Sequence, residues 1–109
     1  MAFMGEFVIL YSTFPDEISA RRVGEALVTA RLAACVNIGA PMTSLYMWKG
    51  KLESAPEVAA FIKTRRVLVD DVIVMARPLH PYEVPCFLLL PIEGGNEDYL
   101  AWARAQTTQ

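Results

Sequence analysis

The run Phe7-Val8-Ile9-Leu10-Tyr11 is apolar throughout, rich in β-formers and free of breakers. A strand that does not alternate has both faces covered and belongs at the centre of a sheet. In a chain of 109 residues this constrains most of the architecture. The sheet must be small, its centre must lie near the N-terminus, and the remaining segments must supply both the neighbours and a covering layer.

Phe14-Pro15-Asp16 ends this strand, and Pro15 with the acids Asp16 and Glu17 suits the first turn of a helix. The spacing of Ile18, Val23, Ala26, Leu27 and Ala30 predicts an amphipathic helix from about Asp16 to Leu32. Cys35–Ile38 opens a second strand that continues through Thr43–Trp48, with Pro41 between them marking an edge or a bulge. Lys49-Gly50 is a hairpin turn, Lys51-Leu52-Glu53 returns, and Glu57–Thr64 is the apolar heart of a third strand. Such a hairpin is longer than one small layer can cover, so its tip is expected to project and to pack on a neighbouring subunit. Arg65–Met75 is read as helix despite its valines, because a crossover must return the chain to the same sheet. Phe87–Leu90 is the fourth strand, closed by Pro91; Asn96 is placed to cap a last helix over Glu97–Arg104, and Thr107-Thr108-Gln109 is expected to fray. The fold class is therefore α+β: a ferredoxin-like βαββαβ arrangement with an additional C-terminal helix, in one domain spanning residues 1–109.

Hydrophobic residues make up 54% of the chain, more than one small sphere needs. With one sheet face left bare, that excess predicts a homo-oligomer. Ten basic and twelve acidic residues give a net charge of −2, with no basic block beyond Arg65-Arg66, so nucleic acid is not an expected partner. Phe3–Tyr11 is too short to span a bilayer and lacks a signal-peptide pattern, which excludes direct membrane insertion and makes the cytoplasm the expected location. There, Cys35 and Cys86 are expected to stay reduced.

His80-Pro81-Tyr82-Glu83-Val84-Pro85 is the leading site candidate. Its prolines bar helix, and it carries the single histidine beside a tyrosine and a glutamate on one stiff segment. A neutral imidazole can ligate a metal or shuttle a proton, or can simply tie its loop to a backbone carbonyl. Thiolates suit Cu(I) or zinc, which adds Cys35 and Cys86 to the candidate metal ligands, although no CxxC or HxxxH spacing gathers them locally. Lys63 could hold an anion in a cleft or be a solvated tip on a buried stem. No nucleophile elbow, phosphate loop, dinucleotide fingerprint or hydrolytic carboxylate pair is present, so no enzymatic activity and no catalytic residue are expected.

Several local signatures occur together. Leu32-Ala33-Ala34-Cys35-Val36-Asn37-Ile38, Thr43-Ser44-Leu45-Tyr46 with Trp48-Lys49-Gly50-Lys51, Ile62-Lys63-Thr64, the His80–Pro85 run and Tyr99-Leu100-Ala101-Trp102 resemble the CutA (divalent-cation tolerance) family, in the family's order. The resemblance implies a homotrimer in which extended hairpins complete intersubunit sheets. It also implies a role in tolerance or homeostasis of copper or another divalent cation, held weakly. It places His80, Tyr82, Glu83 and Lys63 at an intersubunit cleft, where the alternative occupant is a protein partner or a small anionic ligand. Cys35 matches the family's Ala-Ala-Cys cysteine. Tyr11 and Leu79 stand where some members carry a second cysteine and a histidine, and Cys86 replaces the usual acid after the motif proline. The resemblance thus points to His80, Cys35 and Cys86 as a metal set different from the family's own.

Overall fold

The computed structural model describes residues 5–108; the expectations that involve Phe3, Met4 and Gln109 lie outside them. In chain order the elements are β1 (Phe7–Phe14), α1 (Glu17–Thr29), β2 (Cys35–Ile38), β3 (Met42–Trp48), β4 (Lys51–Arg65), α2 (Val69–Ala76), β5 (Leu88–Pro91) and α3 (Glu97–Gln106). The sheet runs β2-β4-β1-β5 with β3 continuing along β4, and every pairing is antiparallel. This is the split βαβ order that the sequence predicts, with its second strand divided in two at Gly39-Ala40-Pro41.

Alternation sorts the sheet into two faces. Val8, Leu10, Ser12 and Phe14 of β1 and Val58, Ala60, Ile62 and Thr64 of β4 are buried. They share the core with Ala20, Val23 and Leu27 of α1 and Val72 and Ala76 of α2. Both helices thus cover one face. On the other face Ile9, Tyr11, Thr13, Glu57, Phe61 and Lys63 are only half-buried.

Helix α1 differs from expectation in face and length. Asp16 caps it, accepting from Ser19 N–H at 2.8 Å. Its buried stripe is Ser19, Ala20, Val23, Gly24 and Leu27, while Ile18 is 74% exposed. Gly24 lets the helix lie against β2, since a Cβ there would meet Val36 Cγ1 at 3.2 Å. The helix stops three residues short of Leu32 because Arg31 turns left-handed at φ 62°. Arg31 N–H then bonds Val28 O and Leu32 N–H bonds Leu27 O, the paired bonds of a Schellman ending. Arginine holds the place usual for glycine, and its guanidinium reaches across to Ala105 O at 2.6 Å and Thr108 O at 3.0 Å.

The Lys49-Gly50 turn has positive φ at both residues, 51° and 81°, the geometry that matches strand twist in a two-residue hairpin. From it β4 runs unbroken for 15 residues, through Pro56. The proline is tolerated because β1 reaches only to Val58, so β4 has a single neighbour at that point. The second helical segment is shorter than expected, with 3₁₀ turns at Arg66–Leu68 and Arg77–Leu79 flanking α2. Strand β5 takes in Pro91, which pairs with Val8 at the end of the ladder.

Two expectations at the C-terminus are corrected. Asn96 stands at the cap position of α3 but makes no capping bond. Its amide donates to Asp98 Oδ1, and that same oxygen takes the Tyr99 N–H. Thr107 does not fray: it is buried, donates to Ala103 O at 2.9 Å, and accepts Arg65 Nε–H at 2.9 Å while its carbonyl takes Nη2–H at 2.7 Å. An arginine from β4 thus fastens the end of α3.

Candidate functional site

The His80–Pro85 segment lies across the end of β1, and the geometry of the sheet explains why a histidine is there. Strand β5 pairs with β1 only from Val8 to Tyr11, although β1 continues to Phe14. Phe7 O accepts Ile92 N–H on the β5 side, so by alternation Thr13 O points to the same side, beyond the last β5 partner. It would be an orphan acceptor. His80 Nε2 lies 3.0 Å from it and takes the role of the missing strand, with Ser12 Oγ a longer 3.4 Å away. The other ring nitrogen, Nδ1, accepts Tyr82 N–H at 3.1 Å. An accepting Nδ1 fixes the neutral tautomer with its proton on Nε2. The ring stacks on Phe14 at 4.3 Å and meets Phe87 edge-on at 5.8 Å.

Burial is the main cause that holds the His80 pKa below the ordinary histidine value, outweighing the opposing pull of the Thr13 carbonyl and the Glu57 charge. Just below the ordinary histidine pKa of about 6.5 the unfolded chain takes up a proton that the folded chain refuses. The stability tied to His80 is therefore complete above that value and falls as pH drops through it towards the lower folded-state pKa. In urea titrations at stepped pH the unfolding midpoint should decline across this window, and a His80→Gln variant should lose that part of the slope.

Beside His80, on the face away from the helices, a groove of about 420 Å³ is lined by Ser44, Tyr46, Trp48, Glu57, Tyr82, Glu83 and Cys86, among others. Ser44, Tyr46 and Trp48 alternate along β3 and so share one side of the hairpin. Tyr82 O–H donates to Glu57 Oε2 at 2.6 Å. Burial first, then the Glu57 charge and hydrogen bond, push the Tyr82 phenol far above its ordinary pKa. Burial and Glu57 also push the Cys86 thiol up, which disfavours its thiolate form.

The structure separates the residues singled out in the sequence. Tyr82, Glu83 and Cys86 meet at the groove, and His80 stands behind them as their support. Cys35 and Lys63 are elsewhere: they face one another across β2 and β4, six residues along β4 from Glu57, which is roughly 20 Å at the strand rise. Lys63 Nζ sits 5.6 Å from the Tyr99 ring centre, and Cys35 Sγ lies 3.8 Å from Asn37 Oδ1. Among the described residues no three His, Cys, Asp or Glu side chains are grouped to hold a metal ion. With both nitrogens of His80 engaged, a single chain does not fit a chelated divalent ion at His80, Cys35 and Cys86. The groove's partnership of Glu57 with Tyr82 had no local signal, since the two lie 25 residues apart; the β1–β4 register and the anchoring of His80 on Thr13 bring them together.

A split-βαβ sheet with a projecting hairpin, and a groove at the hairpin's foot, defines a small mixed α/β domain. The sequence matches the family described as CutA1 divalent ion tolerance protein over residues 8–106, and the chain belongs to that family. The human Protein CutA is 44% identical over 103 residues, covering 94% of this chain and 58% of that protein. This chain therefore spans little more than half of the human relative. The divalent-cation tolerance protein CutA of Pyrococcus horikoshii is 40% identical over 100 residues, 92% of this chain and 97% of the archaeal one. The crystal structure of the stable protein CutA1 from the psychrotrophic bacterium Shewanella sp. SIB1 superposes with a TM-score of 0.93 at 36% identity, covering 98% of this chain and all of that one.

Proposed function

We propose that this chain acts in divalent-cation tolerance as a cytoplasmic homotrimer, and that it handles copper or a similar ion through single soft donors instead of a chelating cage. The observation that carries the assembly is apolar surface stranded in two places. Leu45, Met47 and Leu52 on the hairpin are 70%, 64% and 73% exposed, and Leu88, Leu89 and Leu90 are exposed along β5. Beyond β1, β5 has no second neighbour among the described residues, so it presents an unpaired edge. A projecting apolar ribbon and an open apolar edge on the same chain are complementary, and a heterologous contact of that kind forms a ring when a threefold rotation relates the copies. No helix among the described residues is long and apolar enough to cross a membrane.

The available metal donors are the thiols of Cys35 and Cys86, both free. Neither is grouped with two further His, Cys, Asp or Glu ligands among the described residues, so affinity is expected to be weak and to depend on donors from a neighbouring copy. Calorimetric titration with Cu(II) and Zn(II) tests this. Cys35→Ser and Cys86→Ser should each weaken the heat signal in an intact trimer; undiminished binding in the double variant would remove the thiols from the ligand set. The rival occupant, a small anionic ligand, is disfavoured at the groove by its lining, which holds two glutamates and no lysine or arginine.

A further inference from the structure

Helix α3 is joined to the rest of the fold differently from α1 and α2. Those two supply Ala20, Val23, Leu27, Val72 and Ala76 to the main core, and α3 supplies no residue to it. Its one buried side chain is Ala103, which meets Phe7 and Ala34 in a separate small cluster with Leu100 and Ile92 at its rim. Apolar burial this small contributes little to holding a helix of 10 residues. The attachment is mainly polar, and it is concentrated at the C-terminal end. Arg31 donates to Ala105 O and Thr108 O, at 2.6 and 3.0 Å. Arg65 holds the Thr107 hydroxyl and carbonyl, and Arg104 grips Glu6 through bonds of 2.9 and 2.8 Å. Carbonyls that end a helix lack intrahelical donors, so guanidinium groups are well placed there. The Arg31 and Arg104 contacts are nevertheless exposed, and water weakens them. At the other end Asn96 makes no capping bond, and the exposed, irregular linker 93–96 joins the helix to β5.

We propose that α3 is a strap that swings open as one unit while the sheet, α1 and α2 stay folded, with Arg31 as the latch that sets how often it opens. Opening separates Ala103 from Phe7 and Ala34. It also parts Tyr99 from Lys63, whose ammonium lies 5.6 Å from the ring centre when the strap is shut. The strap therefore governs access to the end of the sheet where Lys63 and Cys35 face one another. The backbone of Arg31 points to the same role. It holds a left-handed turn at φ 62°, where a Cβ is costly and glycine is usual. Nothing in that turn requires an arginine; the reach to α3 does. Arg65, by contrast, is paired with Phe7 in the β1–β4 ladder, so changing it would disturb the sheet as well. Every contact named lies within one chain, and none involves the hairpin.

Native-state amide exchange of the full chain tests this, read by NMR at stepped sub-denaturing urea, with light scattering to record the assembly. Amides of residues 100–106 should share one opening equilibrium, at least about a hundredfold more populated than that of residues 8–10 and 58–62. Urea should change it little, because opening one short helix exposes little surface. Arg31→Gly keeps the left-handed turn and removes the clamp, so it should raise α3 opening about tenfold. In the same variant the last turn of α1 should keep its protection, which separates a latch from a residue that only ends its own helix. Arg31→Lys, with no fork to span two carbonyls, should fall between parent and glycine. Helix amides as slow as those of the strands would overturn the strap, whether a neighbouring copy or the chain itself held them. An opening equilibrium unchanged by Arg31→Gly would overturn the latch. The first comparison is read on the parent protein, so a poorly folded variant does not blunt it.

Discussion

His80→Ala is expected to destabilise the fold by about 3 kcal/mol, one of the largest effects available to a single substitution here. Three losses add. The Thr13 carbonyl returns to being an unpaired acceptor at a sheet edge, which costs on the order of 1–3 kcal/mol if water does not reach it. Tyr82 N–H loses its acceptor at Nδ1. The ring that stacks on the fully buried Phe14 is replaced by a void. Chemical denaturation read by tryptophan fluorescence measures the sum. His80→Gln, which can still donate to Thr13, should recover part of it. If His80→Ala were as stable as the parent, the ring would not be a structural support, and metal ligation would again be its best explanation.

The second large effect concerns assembly. The parent should run as a trimer in light scattering at micromolar concentration. Met47 and Leu52 face each other across the hairpin, and lysine at both positions should leave a folded monomer. Each side chain removed from a buried contact forfeits about 2 kcal/mol; a ring of three copies repeats the loss at every interface, and new charges would have to be desolvated besides. Circular dichroism should be unchanged, because the substituted face contributes nothing to the intrachain core. A monomeric parent would sink the assembly, and a trimer that survives both lysines would place the interface elsewhere.

The sequence made the sheet legible through strong local signals: the unbroken Phe7–Tyr11 run, the Gly50 turn and the prolines around Tyr82. It was less informative where an outcome is decided at long range. Thr107 looks like a polar tail, and only Arg65, distant in sequence, makes it an anchor. Ile18 fits a helical stripe, yet the close approach at Gly24 rotates α1 and leaves Ile18 in solvent. At the site, the His80–Glu83 motif announced itself, and the structural role always open to its histidine is the one the ring's hydrogen bonds describe. The groove did not announce itself. Tyr46 and Trp48 on an exposed strand look like interface residues in sequence, and their shared side with Glu57 depends on a register that no local pattern specifies.

Strand β4 also governs the order of events during synthesis. It is the hydrogen-bonded partner of β1, β2 and β3, none of which pairs with another of the three. As the chain leaves the ribosome at about 5–20 residues per second, β1 and β2 emerge with no partner for their N–H and C=O groups. The apolar run that anchors the sheet stays exposed until Val58–Arg65 has been made. The hairpin can close first, since β3 and β4 are joined by two residues, but β1 must wait for a segment about fifty positions downstream. A nascent chain stalled just after the hairpin turn would therefore be all valency and no sheet.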